Sequence, residues 1–367
     1  MNASSSINVA HETVRRQLRV IFDAWGMPPE QSEPSVEVMA ETDLRGIDTH
    51  GIVMIDNYNL LRRAGRLNVD PKRRILRESA TTALVDADAG LGHPISVFAM
   101  GLAVDKALAG GVGVVTVRNS HHFGAAGIYA EKAALRGCIG MVTTTTRMMA
   151  MVPTWGADAV LGTNPIALAA PAGRKDCFLL DMATTTSALG KMQTRLHRNL
   201  PLPIGWAVDE NGAPVTDPGA ARKNIFGGGG KGGLTPLGGT YESGSHKGYG
   251  LAMMVQILSG VLAGASFSPI CFKRQGPSEP NNIGHFFLAI DPHAFRTGTD
   301  FEDEMGQVID VLHATRPADP AQGVLIAGDK ERAERERRLA GGIPLPGPLI
   351  ELVRATAKEC NAPFLLA

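Results

Sequence analysis

From Thr81 to Met182, short runs of β-branched and apolar residues alternate with helix-periodic stretches, which restricts the chain to folds that layer helices against a sheet. The segment TTALVDADA, beginning at Thr81, reads as a strand. Val112–Val117 (VGVVTV) is almost free of polar side chains and predicts a buried strand. Helices are expected over Pro94–Leu108 and Ala125–Arg136, with further strands over Cys138–Thr145, Leu161–Ala170 and Cys177–Met182. Ahead of this region, Val14, Leu18, Ile21 and Phe22 recur at helical spacing, Pro28–Pro29 interrupts, and Ser35–Arg45 and Ile52–Arg63 resume the helical pattern. Behind it, Asn224–Ser245 and Pro277–Asn282 predict loops and Lys247–Ala263 a long apolar helix. HFFLAID reads as a strand, and ERAERERRLAGG as a charged helix ended by glycines. The fold class is α/β (mixed α+β) with a helical N-terminal segment.

Charge and composition narrow the function. The 367 residues suggest two or three lobes. With 36 basic and 36 acidic residues the formal net charge is zero, which argues against a nucleic-acid partner held by a general basic footprint. No apolar run reaches the roughly 18 residues a membrane helix needs, and the N-terminus lacks the pattern of a secretory leader. Cys138, Cys177, Cys271 and Cys360 are scattered without CxxC spacing, so neither a disulfide framework nor a zinc site is expected. The expectation is a cytoplasmic protein without a metal.

Familiar nucleotide and hydrolase motifs fail. Gly111-Val-Gly113 precedes its strand and lacks the third glycine, so a Rossmann nucleotide site is not supported. Gly227–Gly230 with Lys231 imitates a phosphate loop, but Ile225 and Gly232 stand where glycine and a hydroxyl residue are required. HExxH and GxSxG are absent.

Four polar constellations remain. Arg45-Gly-Ile-Asp-Thr-His50-Gly51 joins two helices, and His50 is suited to proton transfer near neutrality; the plain alternative is a capped helix start. Asn119-Ser-His-His122-Phe-Gly124 follows a strand, where α/β proteins place ligands; its alternative is a turn whose histidines satisfy backbone groups. Gly162-Thr-Asn-Pro165 and Leu180-Asp-Met-Ala-Thr-Thr-Thr186 offer hydroxyls and amides to ribose or phosphate, or serve only as turns. Lys247 opens the long helix, where a phosphate would find both charge and backbone N–H groups; otherwise it is a solvated lysine.

Taken in order, RGIDTHG, NSHHFGAAGIYAEKAALRGCIG, VPTWGADAVLGTNPIALAAP, LDMATTTSALGK, HKGYGLAMMVQILSGVLAGASF and NNIGHFFLAIDP resemble the type 2 malate/L-lactate dehydrogenase family. That family includes ureidoglycolate dehydrogenase, sulfolactate dehydrogenase, diketogulonate reductase and cyclic-imine reductases. The resemblance implies a non-Rossmann nicotinamide-binding fold, NAD or NADP as cofactor without a metal, and a homodimer. It divides the chain into a helical segment 1–77 carrying a catalytic histidine and packing with 295–367, and a mixed-sheet cofactor-binding core over 78–294. It casts His50 and His122 as catalytic acid/base candidates, and Thr49, Tyr58 and Arg147 as substrate contacts. Thr146, Asp181, Met182, Ala183, Lys247, Gly328, Asp329 and Lys330 become cofactor contacts. Two departures stand out: Thr49 replaces the usual serine, and Met54 replaces an arginine common in members and suited to a carboxylate. The Met148–Met151 region would favour a bulkier or apolar substrate tail, or simply pack in the core. Asp48 is a candidate to orient His50. The implied reaction is hydride transfer between a nicotinamide and a small 2-hydroxy or 2-oxo acid. The alternatives are reduction of a cyclic imine carboxylic acid, and a catalytically impaired relative that only binds ligand.

Overall fold

A computed structural model describes residues 6–227, 231–267 and 278–366. Cys271, part of the Gly227–Gly230 run and Pro277 at the start of the second expected loop lie outside the described residues. The strands are β1 (Ser6–Val9), β2 (Arg74–Glu78), β3 (Thr82–Asp86), β4 (Val112–Ser120), β5 (Ile139–Thr144), β6 (Ile166–Ala172), β7 (Lys175–Met182), β8 (Ala207–Val208), β9 (Gly233–Leu234), β10 (Ile283–Ile290) and β11 (Ile343–Pro346). The helices are α1 (His11–Ala24), α2 (Pro29–Leu44), α3 (Ile55–Arg63), α4 (Gly92–Gly110), α5 (Gly127–Ala134), α6 (Leu189–His197), α7 (Pro218–Phe226), α8 (Ser245–Val255), α9 (Asp300–His313), α10 (Asp329–Gly341) and α11 (Gly347–Glu359).

The main sheet has seven strands in the order β2-β3-β4-β10-β5-β6-β7. Only β3 and β4 run parallel, joined through α4; the other neighbours are antiparallel, so this is a mixed sheet. β10 arrives late in the chain yet lies in the middle, pairing with β4 on one side and β5 on the other. Its nearly unbroken apolar sequence, IGHFFLAI, suits a strand covered on both faces. α4 lies close on β4 because Gly113 has no side chain: a Cβ there would fall 1.9 Å from the Ala103 carbonyl oxygen. Val85, Ala99, Ala103, Val115, Val117, Val142 and Phe287 fill the layer between sheet and helices. Each large side chain among them contributes about 1.5–3 kcal/mol of burial free energy.

A second apolar cluster joins the two ends of the chain. Val14, Leu18, Phe22, Val36, Leu44, Ile52 and Tyr58 pack with Ile343, Leu345, Ile350 and Val353. β1 and β11 pair antiparallel above it.

Several boundaries differ from the sequence expectations. α2 begins at Pro29, because a proline at the first helical position lacks only an N–H that would be unpaired anyway. β4 extends to Ser120, which draws Asn119 and Ser120 into the strand. β6 starts at Ile166; Leu161 makes an isolated bridge with Met151, and residues 162–165 are irregular. The long helix ends its α-helical part at Val255 and continues as one π-turn over Gln256–Val261. The loop expected over Asn224–Ser245 overlaps the end of α7 and contains β9. β1, β2, β8, β11, α6, α9 and α11 carried no recognised signal.

Candidate active site

The two candidate histidines come together. His50 follows α2 in the loop before α3, and His122 follows β4. Their ring centroids lie 5.3 Å apart with 35° between the planes. Tyr58 Oη and His122 Nδ1 share a 2.6 Å hydrogen bond, and the Gly124 amide N–H lies 3.4 Å from the same nitrogen. Held at Nδ1, the ring leaves Nε2 for a ligand. Thr49 Oγ1 and His50 Nδ1 lie 2.6 Å apart. Burial lowers the His50 pKa to about 4. His122 falls well below the ordinary imidazole range, first through burial and then through the neighbouring rings of His50, His93 and His285. The neutral forms are therefore favoured near pH 7, and two rings this close resist carrying two protons.

Three further histidines buttress this region. His285, in the centre of the sheet, bridges Ser120 Oγ at 2.9 Å and Thr144 Oγ1 at 2.7 Å and stacks on Phe123. His121 Nε2 shares a 2.9 Å hydrogen bond with the Arg66 carbonyl. His93 opens α4, fully buried, with its ring edge-on to Tyr58 and neither ring nitrogen hydrogen-bonded.

Asp48 does not orient His50. Its carboxylate accepts hydrogen bonds from Arg338 Nη1 at 2.5 Å and Nη2 at 3.2 Å, and Arg338 Nη1 also donates to the Asp43 carbonyl at 2.7 Å. The fork of a buried arginine thus ties the histidine loop to α10. Asp43 supports the same loop from inside: its Oδ2 accepts the Ile52 N–H at 2.8 Å. A Cβ on Gly51 would fall 1.9 Å from Asp43 Oδ1, so this approach requires glycine. Burial raises the Asp43 pKa to about 8.

A cleft of about 280 Å³ lies beside the histidine loop, walled by Arg45, Ile47, Gly127, Asp181, Gly328 and Lys330, among others. It unites three of the expected cofactor residues from distant parts of the chain. Asp181 Oδ2 accepts the Gly127 N–H at 2.7 Å, while its carboxyl stays open to the cleft. Surrounding protein raises its pKa to about 6, an effect that water in the cleft partly screens. Asp329, next in sequence to Gly328, is turned to structural use by the Ile326 N–H, Arg332 and His313 and does not line the cleft. Thr146 lies against Gly162, where a Cβ would meet its hydroxyl at 1.8 Å, and donates to the Met148 carbonyl. Lys247 is exposed in the first turn of α8, and Met182, the last residue of β7, and Ala183 just after it are half-buried. None of these four lines the Asp181 cleft.

A profile of the malate/L-lactate dehydrogenase family matches residues 9–354. The chain belongs to that family. This dehydrogenase is similar to malate dehydrogenase of Pyrococcus horikoshii, at 38% identity over 340 residues, covering 92% of this chain and 91% of the relative. It is also similar to ureidoglycolate dehydrogenase (NAD(+)) of Escherichia coli, at 31% identity over 98% of this chain and 99% of that one. Among solved structures, malate dehydrogenase from Entamoeba histolytica superposes with a TM-score of 0.92 at 32% identity, covering 98% and 99% of the two chains.

The remaining expected residues of the dehydrogenase are placed as follows. Tyr58 is buried in the end-joining cluster with its hydroxyl on His122, and Met54 packs against the same cluster. Met151 is core, packed with Leu161 and Ala252, whereas Met148 is 37% exposed. Arg147 donates to Asn281 Oδ1 at 2.8 Å and the Glu279 carbonyl at 3.3 Å. Asp43, Arg66, His93, His285 and Arg338 escaped the sequence reading because isolated residues in helices, a strand or a loop carry no spacing signature.

Proposed function

We propose that this protein is a nicotinamide-dependent dehydrogenase of a small 2-hydroxy acid, working with NAD or NADP. The observation that carries the reading is the facing pair of imidazoles, His50 and His122, on two segments that also supply walls of the Asp181 cleft. The same two segments border both places: Arg45 and Ile47 lead into His50, and His122 leads into Gly127.

The cleft fits the polar parts of a dinucleotide. Asp181 offers a carboxylate oxygen to sugar hydroxyls, while Lys330 and the first amides of α10 suit a phosphate. Bound there, the nicotinamide would supply or accept the hydride. The rest falls to the chain. A neutral imidazole of the pair takes the proton from the substrate 2-hydroxyl as the C–H bond gives up its hydride; in reduction the protonated ring returns it to the oxygen of the former carbonyl. The low pKa values favour the neutral ring, the form that can accept the hydroxyl proton. A bound substrate carboxylate would raise them and open the reverse path. Tyr58 keeps the His122 ring in place through Nδ1, and Thr49 adjoins His50 at the open side of the loop. A homodimer is the proposed assembly, to be checked by light scattering.

The test is a panel of 2-hydroxy and 2-oxo acids, followed by nicotinamide absorbance with both cofactors. Turnover of at least one hydroxy acid is expected. Reduction of cyclic imines alone would replace this reading with imine reduction.

A further inference from the structure

His93 is a fully buried imidazole that the proton-transfer scheme leaves without a task. It stands in the first turn of α4, a helix whose body is docked on β4 where Ala103 meets Gly113. The start of that helix also carries the backbone around His122. The Gly92 N–H donates to the His122 carbonyl at 3.1 Å, and the His121 N–H donates to the carbonyl of Gly90, just ahead of α4, at 3.2 Å. A Cβ on Gly92 would fall 2.5 Å from both the His121 carbonyl oxygen and Phe123 Cβ, so this close approach requires glycine.

The side chain of His122 is backed from the same place. Its Nδ1 has two neighbours, Tyr58 Oη and the Gly124 N–H. The His93 ring lies against the residues that supply both. Its centroid is 5.6 Å from that of Tyr58, with 76° between the planes, an edge-to-face contact. Gly124, at φ +77°, turns its open side to the same ring: a Cβ there would fall 3.2 Å from His93 Nε2. Among the described residues neither His93 nitrogen has a hydrogen-bond partner, so the ring meets Tyr58 and Gly124 through its flat shape.

We infer that His93 is a positioning residue for the proton transfer: its ring backs Tyr58 and Gly124 together and so fixes the direction in which His122 presents Nε2. This rests on the reading of His122 as a proton-transfer group and extends it to the helix behind the ring. A misplacement of about 1 Å at a reacting group can cost about 100-fold in rate, which is how a ring buried away from the chemistry acts on it.

The experiment measures kcat and the KM of the cofactor for the wild type, His93→Ala, His93→Phe, Tyr58→Phe and the variant carrying both His93→Ala and Tyr58→Phe, with a hydroxy acid that the wild type oxidises. His93→Ala should lower kcat by about 10-fold and leave the cofactor KM within about 3-fold. His93→Phe restores a flat ring and should bring kcat back to within about 3-fold of the wild type. Because both side chains act on one ring, the double variant should lose clearly less than the product of the two single losses. If His93→Ala does not fold, His93→Leu, which fills the space without a flat face, takes its place in the cycle. Wild-type kcat in the alanine or leucine variant, losses that multiply, or a phenylalanine as slow as alanine would each overturn the role of His93 and leave the dehydrogenase reading standing. A wild type inert with every hydroxy acid and both cofactors would overturn the dehydrogenase reading instead. The role of His93 is then read without turnover, by nitrogen NMR of protein carrying labelled histidine. The His122 ring signals, identified by their loss in His122→Ala, should move in His93→Ala toward their positions in Tyr58→Phe. Signals that stay in place, or move elsewhere, would remove the role.

Discussion

Arg338 and Asp48 form a two-pronged ion pair, with N–O distances of 2.5 and 3.2 Å, that fastens the His50 loop to helix α10. The same helix contributes Lys330 to the Asp181 cleft, so one element both borders the cleft and anchors the His50 loop. Arg338→Ala should lower kcat by about 10-fold or more through loss of geometry. It should also cost about 1–3 kcal/mol of stability, because the Asp43 carbonyl loses its donor while Asp48, 57% exposed, is rehydrated. Arg338→Lys, lacking the planar fork, should recover only part of both. Denaturant melts and kinetics on the two variants check this; full activity in Arg338→Ala would show that the loop holds itself.

Tyr58→Phe removes the hydroxyl from His122 Nδ1 with little change of shape. A fall of about 10-fold in kcat with KM nearly constant is expected, since ring orientation matters most at the transition state. The pH dependence of kcat should shift as well. An unchanged profile would assign Tyr58 to packing alone.

Much of this arrangement was legible in advance, and the limits have physical causes. The α/β character followed from alternating periodicity, and β4 with its histidine turn stood out because an apolar run ended in polar residues. His50 and His122 were found through short phrases, but their meeting depends on chain topology, which local patterning does not carry. Asp48 was read as a partner for His50 because it is two residues away; the structure gives it to Arg338, far off in sequence. The placement of β10 between β4 and β5 is a pairing decision made by the whole sheet. Helices α9 and α11 were missed in the C-terminal region, where only the charged α10 stretch announced itself.

Acid should destabilise the fold. Burial lowers His50 and His121 to about 4, and His93 and His285 to about 3. Unfolded, these rings bind protons below about pH 6.5. Stability is therefore lost as pH falls from about 6.5 toward 4, at up to about 1.4 kcal/mol per pH unit for each ring. Asp43, raised to about 8, acts in the opposite sense: its stabilisation is complete below about pH 4 and is lost as pH rises through 8. The four imidazoles outweigh that one carboxylate in the acid window. Thermal melts from pH 8 to pH 4.5 should show a steep drop below pH 6.5. A flat curve would contradict the burial of these rings.

Asp43→Asn isolates the opposing contribution. The amide cannot ionise but can still accept the Ile52 N–H. Its stability relative to the wild type should rise progressively between pH 5 and pH 8. A constant difference across that range would mean that Asp43 titrates normally.

Asp181→Ala tests the cleft. The variant should raise the KM for the nicotinamide cofactor by about 10-fold, equivalent to one or two lost hydrogen bonds, while the KM for the hydroxy acid stays within about 3-fold. An effect on the acid substrate alone would place the cofactor elsewhere.

The most direct measurement is single-turnover hydride transfer, monitored by nicotinamide absorbance, in wild type, His50→Ala and His122→Ala at saturating cofactor and acid. Loss of proton transfer predicts that at least one variant slows the chemical step by about 100-fold or more while still binding the cofactor. If both variants transfer hydride at the wild-type rate, the facing imidazoles are not the proton-transfer groups and the account fails.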